Sequence, residues 1–97
     1  MNPKDNSNWM LRLFVSGKKP MTDHAVAMLK EICETHLEGQ CDIKVIDVLQ
    51  NPISSIEENI IATPTLIKKS PEPVRRIIGN LSNKEKLLDG LGIYLSE

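Results

Sequence analysis

Residues Ala62–Lys69 read Ala-Thr-Pro-Thr-Leu-Ile-Lys-Lys, and the fold turns on this stretch. Pro64 removes a backbone donor and biases Thr63 toward an extended conformation, so no helix runs through it. Leu66–Lys69 then reads as a short strand, and Pro71 and Pro73 mark the turn that follows. Val74–Ile78 (VRRII) is another short strand, closed by Gly79. An extended residue and a proline leading into a hairpin therefore stand at the centre of the second half.

Upstream, Trp9–Ser16 (WMLRLFVS) is a nearly continuous apolar run broken only by Arg12. A short run of this kind bounded by turn residues, here Gly17 and Pro20, fits a strand buried on most of both faces. Over Thr22–Leu37 the period changes. Ala25, Leu29 and Ile32 share one face, flanked by Val26, Cys33 and Leu37, which is helical spacing. Thr22 or Asp23 is placed to cap its start, and Gly39 stands where a left-handed terminal residue is wanted. Asp42–Leu49 (DIKVIDVL) returns to β-branched density and completes a βαβ unit, which chain sterics make parallel and right-handed.

Asn51-Pro52 breaks that strand, and Ser54 with Glu57 forms a capping-box pattern for a short helix reaching about Ile60. Downstream of the hairpin, Ser82-Asn83-Lys84-Glu85 opens a last helix through Leu87, Leu88, Leu91 and Leu95. Gly90 and Gly92 fall inside it, each weakening it by about 1 kcal/mol relative to alanine. The local order is βαβαββα, an α/β arrangement that matches the thioredoxin architecture. Pro64 occupies the place where such chains carry a cis-proline, an isomer that sequence leaves open.

Bulk properties narrow the function classes. The 97 residues suit a single domain over 9–97 preceded by a disordered lead over 1–8. Domains of this size bury a smaller share of their surface than larger ones, which favours association with copies of the chain or with a partner. A net charge of -1 and an aromatic content of 3% oppose nucleic-acid binding, which calls for a basic excess or stacking rings. No apolar run approaches the ~20 residues needed to cross a bilayer, and Met1–Asn8 lacks a signal-like apolar core. Cys33 and Cys41 are too few for a disulfide scaffold and suit a reducing compartment, so the chain reads as cytoplasmic.

Catalytic signatures are missing. A redox role on this architecture needs an activated thiolate at the start of the first helix, but Gly17–Thr22 contains no cysteine. Cys33 reads as a core residue and Cys41 as a strand-edge residue, with no C-x-x-C spacing. His24 and His36 lie about 18 Å apart along one helix, too far to share a metal. No phosphate-loop or G-x-G-x-x-G pattern occurs, and Glu57-Glu58 reads as a solvated helix face. No cofactor is expected. Lys68, Lys69, Arg75 and Arg76 give the last third a basic bias, fitting either solvated edge charges or a contact for an acidic or self-associating surface.

Particular strings are more specific. Leu13–Gly17 (LFVSG), Lys44–Leu49 (KVIDVL), Asn51-Pro52, Ala62–Leu66 (ATPTL), Val74–Gly79 (VRRIIG) and Leu81–Lys86 (LSNKEK) occur in order. Together they resemble the KaiB family of bacterial clock proteins over nearly all of Trp9–Tyr94. Related sensor domains of histidine kinases share the first half and the Ala-Thr-Pro segment, whereas Val74–Gly79 fits KaiB better. The resemblance implies a non-enzymatic regulator that binds a KaiC-like ring ATPase and autokinase and alters its phosphorylation state or output. It implies two folds: a thioredoxin-like monomer, βαβαββα, and a resting form, βαββααβ, usually tetrameric, with the second half repacked. On that basis Lys44, Ile56, Asn59, Ile60 and Arg75 are the expected partner contacts, with Asn59 standing where relatives often carry lysine. Pro64, Pro71, Pro73, Gly90 and Gly92 are the expected fold-switch and turn positions, and alanine at 90 is expected to favour the helical, monomeric form. The alternatives are a thioredoxin-like redox protein and a stand-alone sensor module for a histidine kinase.

Overall fold

A computed structural model describes residues 9–17, 19–79, 81 and 83–93. The lead over 1–8, Ser82 and Leu95 lie outside these residues. The elements are β1 (Trp9–Val15), α1 (Pro20–His36), β2 (Cys41–Asp47), α2 (Pro52–Glu57), β3 (Thr65–Ser70), β4 (Arg75–Ile78) and α3 (Lys84–Leu91). The order is the expected βαβαββα. A four-stranded sheet runs β2-β1-β3-β4, with β1 parallel to β2 and antiparallel to β3, and β3 antiparallel to β4. Both β2 and β4 are edge strands.

Strand alternation divides the sheet into two faces. Leu11, Leu13 and Val15 join Leu66 on one face, where α1 supplies Ala25, Leu29 and Ile32 and α3 supplies Leu87, Leu88 and Leu91. Each fully buried Leu or Ile there contributes about 1.5–3 kcal/mol relative to exposure. Phe14 and Ile67 are buried on the other face, where Arg12 donates to the carbonyl of Asp42 at 3.0 Å.

Helix ends depart from the sequence reading. α1 begins at Pro20 after an extended Lys19, and neither Thr22 nor Asp23 caps it. A proline fits the first turn because its missing N–H would have had no intrahelical partner there, and the Thr22 amide is taken up by the Lys19 carbonyl at 2.9 Å. At its far end the chain reverses through left-handed Glu38 and Gly39, as expected for Gly39, and the Cys33 carbonyl accepts from both Leu37 and Gly39 at 3.0 Å. α2 starts at Pro52, so Ser54 lies inside it and forms no capping box. It stops at Glu57, which leaves Asn59, with φ 58°, and Ile60 beyond its end. α3 is capped by Asn83, whose side chain accepts from the Lys86 amide at 3.0 Å.

The two glycines of the last helix have different roles. Gly92, at φ 80°, terminates α3 in the left-handed conformation and is not an interior defect. Gly90 is interior, but a Cβ there would stand 2.7 Å from Cδ1 and 2.8 Å from Cγ1 of Ile77. Its missing side chain lets α3 lie close to β4. The peptide bonds preceding Pro64, Pro71 and Pro73 are cis.

The cysteines also depart from expectation. Cys33 is buried and Cys41 opens β2, but they are joined in a disulfide, with Cα atoms 6.0 Å apart. The Glu38–Gln40 reversal brings the first residue of β2 beside the end of α1. Spacing alone does not reveal this, because the turn is built from backbone hydrogen bonds.

Candidate docking site

The residues following β2 are held by one carboxylate. Asp47 Oδ1 accepts from the Leu49 amide at 2.9 Å and from the Gly17 amide at 3.1 Å, tying the β2–α2 connection to the end of β1. Asn51 then donates from its amide and its side chain to the Asp47 carbonyl, fixing where Pro52 starts α2. The helix that results buries none of its residues. Ile53 and Ile56, one turn apart on one face, are 69% and 73% exposed, and Leu49 just before them is 72% exposed. Single exposed apolar residues are ordinary, whereas several gathered on one short element mark an interaction surface.

The far end of α2 is anchored by charge. Glu58 is not solvated as its neighbour is: its carboxylate pairs with Lys69 of β3 and with Arg76 of β4, the latter at 3.7 Å. Lys69 and Arg76 both point to the face of the sheet that carries Ile67, which places the end of α2 there. Ile56 and Asn59 are exposed and Ile60 is half-buried at this end. Lys44 is exposed on the same face but on the opposite edge strand, in register with Arg12. Arg75 alternates to the α1–α3 face and packs beside Gly92. The expected contact residues therefore do not form one patch: Ile56, Asn59 and Ile60 cluster, Lys44 shares their face, and Arg75 lies on the other.

The basic stretch is likewise divided. Lys69 and Arg76 are paired, Lys84 bridges to Glu31 at 3.0 Å, and Lys68 is only 3% exposed. The Lys68 ammonium lies 4.8 Å from the Trp9 ring centroid and 3.5 Å from the Leu91 carbonyl at the end of α3. Desolvation, followed by repulsion from Arg75, lowers its pKa below the usual lysine value. The Arg75 Nε is itself buried without a hydrogen-bond partner. Sequence signalled charge at these positions but not which charges are consumed internally.

The start of α1 holds a small pocket of about 50 Å³ lined by Val15, Ser16, Lys19, Met21, Thr22, Thr63 and Pro64. The Ser16 and Thr63 hydroxyls are 2.7 Å apart across it. No thiol stands at this position, and the disulfide lies at the other end of α1, so the arrangement provides no nucleophile for dithiol exchange at the usual place on this fold. His24 is exposed and His36 half-buried, and among the described residues no group of His, Cys, Asp and Glu could hold a metal. Nor is any described helix long and apolar enough to cross a membrane.

A family model described as the KaiB domain matches residues 12–93. The chain belongs to the KaiB family. It is 49% identical over 89 residues to the circadian clock oscillator protein KaiB of Picosynechococcus sp., covering 92% of this chain and 86% of that one. It is 46% identical to the protein of the same name from Synechococcus elongatus, over 100% of this chain and 93% of the relative. These relatives are named as clock proteins and not as enzymes. Among solved structures, the N-terminal domain of Synechococcus elongatus SasA superposes with a TM-score of 0.71 at 23% identity, covering 94% of this chain and 90% of that one. Mitochondrial thioredoxin 3 from Saccharomyces cerevisiae superposes at 0.68 and 17% identity, over 89% and 78% of the two chains. The chain thus has a thioredoxin-like fold.

Proposed function

We propose that this KaiB-family chain is a cytoplasmic, non-catalytic regulator that docks on a KaiC-like ring ATPase and modulates its phosphorylation state or output, in timing or stress adaptation. The observation that carries this reading is the apolar surface at α2, where Ile53 and Ile56, with Leu49 just before the helix, are each about 70% exposed and the helix itself buries nothing. Ile56, Asn59 and Ile60 form the centre of the contact and Lys44 extends it along the same sheet face. Arg75 lies on the other face, beside Gly92 and apart from this cluster. No cofactor, nucleic acid or membrane takes part. Co-elution of the purified chain with the KaiC-like ATPase of its own cell, with and without ATP, tests the proposal. A complex lost on Ile53→Ser/Ile56→Ser, with helical content unchanged, supports it; a complex indifferent to that pair refutes it.

A second state accompanies this one. In it the first half is kept, the second half repacks to βαββααβ, and copies associate as dimers or tetramers. The contrast that favours it is local: α2 is six residues with no buried side chain and β4 is four residues, so little apolar burial commits them to one arrangement. Light scattering over a concentration series, with amide spectra at each point, tests it. A single monomeric species with one set of resonances throughout would exclude it.

A further inference from the structure

The bond between Cys33 and Cys41 joins the end of α1 to the start of an edge strand. Cys33 is 6% exposed, whereas Cys41 is partly exposed. Beside them runs an open groove of about 430 Å³ lined by Lys30, Cys33, Glu34, Gly39, Cys41 and Ile43. Lys30 and Glu34 put one positive and one negative group on its wall, and both are exposed. A groove of this size beside a disulfide, flanked by opposite charges, suits a small zwitterionic peptide thiol.

We propose that Cys33–Cys41 is a reversible redox site, opened and closed by thiol–disulfide exchange with a low-molecular-weight thiol of the glutathione class. The incoming thiolate attacks the Sγ of Cys41, the more exposed of the two residues. The sulfur–sulfur bond breaks, its electron pair goes to Cys33 Sγ, and that thiolate takes a proton from water. A second small thiolate then attacks the sulfur of the bound small molecule, forming its symmetrical disulfide and releasing Cys41 as thiolate, which is protonated in turn. Two small thiols are oxidised for each protein disulfide reduced, and the small disulfide is the oxidant in the reverse direction.

The consequence is local. Trp9 donates to the Gln40 carbonyl and Gln40 to the Leu37 carbonyl, so the reversal that the bond closes is also the start of the β1–β2 pairing. Reduction removes the covalent tie and leaves that corner to its backbone hydrogen bonds. The amides of residues 39–43 then exchange faster while those of β3 do not.

The test uses the whole chain equilibrated across a range of reduced-to-oxidised glutathione ratios, quenched by alkylation and weighed. The expected result is a single transition from an unlabelled monomer to one labelled at both cysteines. In rate measurements with oxidised glutathione, Cys33→Ala forms the mixed disulfide at Cys41 at least tenfold faster than Cys41→Ala does at Cys33, and amide exchange at residues 39–43 rises on reduction. Both thiols labelled at every ratio, a bond formed between chains, or faster reaction at Cys33 overturns the proposal. The titration of the unmodified chain decides the matter even where a substitution disturbs folding.

Discussion

The first and second halves of this chain hold their shape by different means. From β1 to β2, a long helix covers a strand whose Leu11, Leu13 and Val15 pack directly on Ala25, Leu29 and Ile32. Beyond β2 the elements are short, and named polar contacts do much of the positioning. Glu58 gathers Lys69 and Arg76, Asp47 fixes the approach to α2, Asn83 caps α3, and Lys68 reaches the last carbonyl of α3. Burial commits the first half, while Leu66 of β3, Leu81 and the leucines of α3 join the second half to the shared core. The docking surface proposed for α2 therefore falls where the structure has apolar surface left over.

The contrast is open to breaking in order of expected effect. Leu29→Ala removes a side chain with no exposure at the centre of the first half, and denaturant unfolding should show a loss of about 2–5 kcal/mol. A loss below that range would mean that α1 is not the main anchor.

Gly90→Ala probes the join between halves. The helix gains about 1 kcal/mol in propensity, but the new Cβ forces Ile77 to shift, at a cost of roughly 0.5–1.5 kcal/mol. The single variant should therefore lie close to the parent, and the same change made on Ile77→Ala should show the full gain. A double-mutant cycle with no coupling would contradict the close approach of α3 to β4.

Glu58→Gln should cost no more than about 1 kcal/mol, because the pair sits at the surface, and 1 M salt should erase most of the difference. Its larger signature should be faster amide exchange confined to residues 54–60. Exchange that rises equally in α1 would remove the distinction between halves.

Lys68→Met should have the smallest effect at neutral pH and a distinct pH signature. Because the folded-state pKa lies below the unfolded value, the cost of burying the ammonium is fully present below the folded pKa. It fades as pH rises toward 10.5, the unfolded reference. Parent stability should therefore rise relative to the variant across that alkaline window. A constant difference between the two curves would show that the charge is not desolvated.

Much of the architecture was legible because it depends on periodicity and on punctuation by proline and glycine. The run Trp9–Ser16, the helical face Ala25–Leu29–Ile32 and the Pro64 hairpin each carry such a signal. Helix starts were misread because Pro20 and Pro52 occupy the first turns, so the hydroxyl and carboxylate residues downstream have no capping duty. Ile56 was read as a docking residue; the structure shows Leu49 and Ile53 exposed beside it, and their spacing along the chain was a usable signal. The disulfide, the pairing of Glu58 and the burial of Lys68 were not legible. Each depends on which residue a turn brings alongside another, and charge or sulfur content alone does not encode that.

The central claim is that α2, with Leu49 just before it, presents the surface by which the chain docks on a KaiC-like ATPase. Titration of the purified chain into the hexameric KaiC-like ATPase of its own cell, followed by calorimetry in the presence of ATP, tests it most directly. Saturable binding that falls at least tenfold with Ile53→Ser/Ile56→Ser is the predicted result. No heat of binding with any such ATPase, or binding undiminished in the double variant, would contradict it.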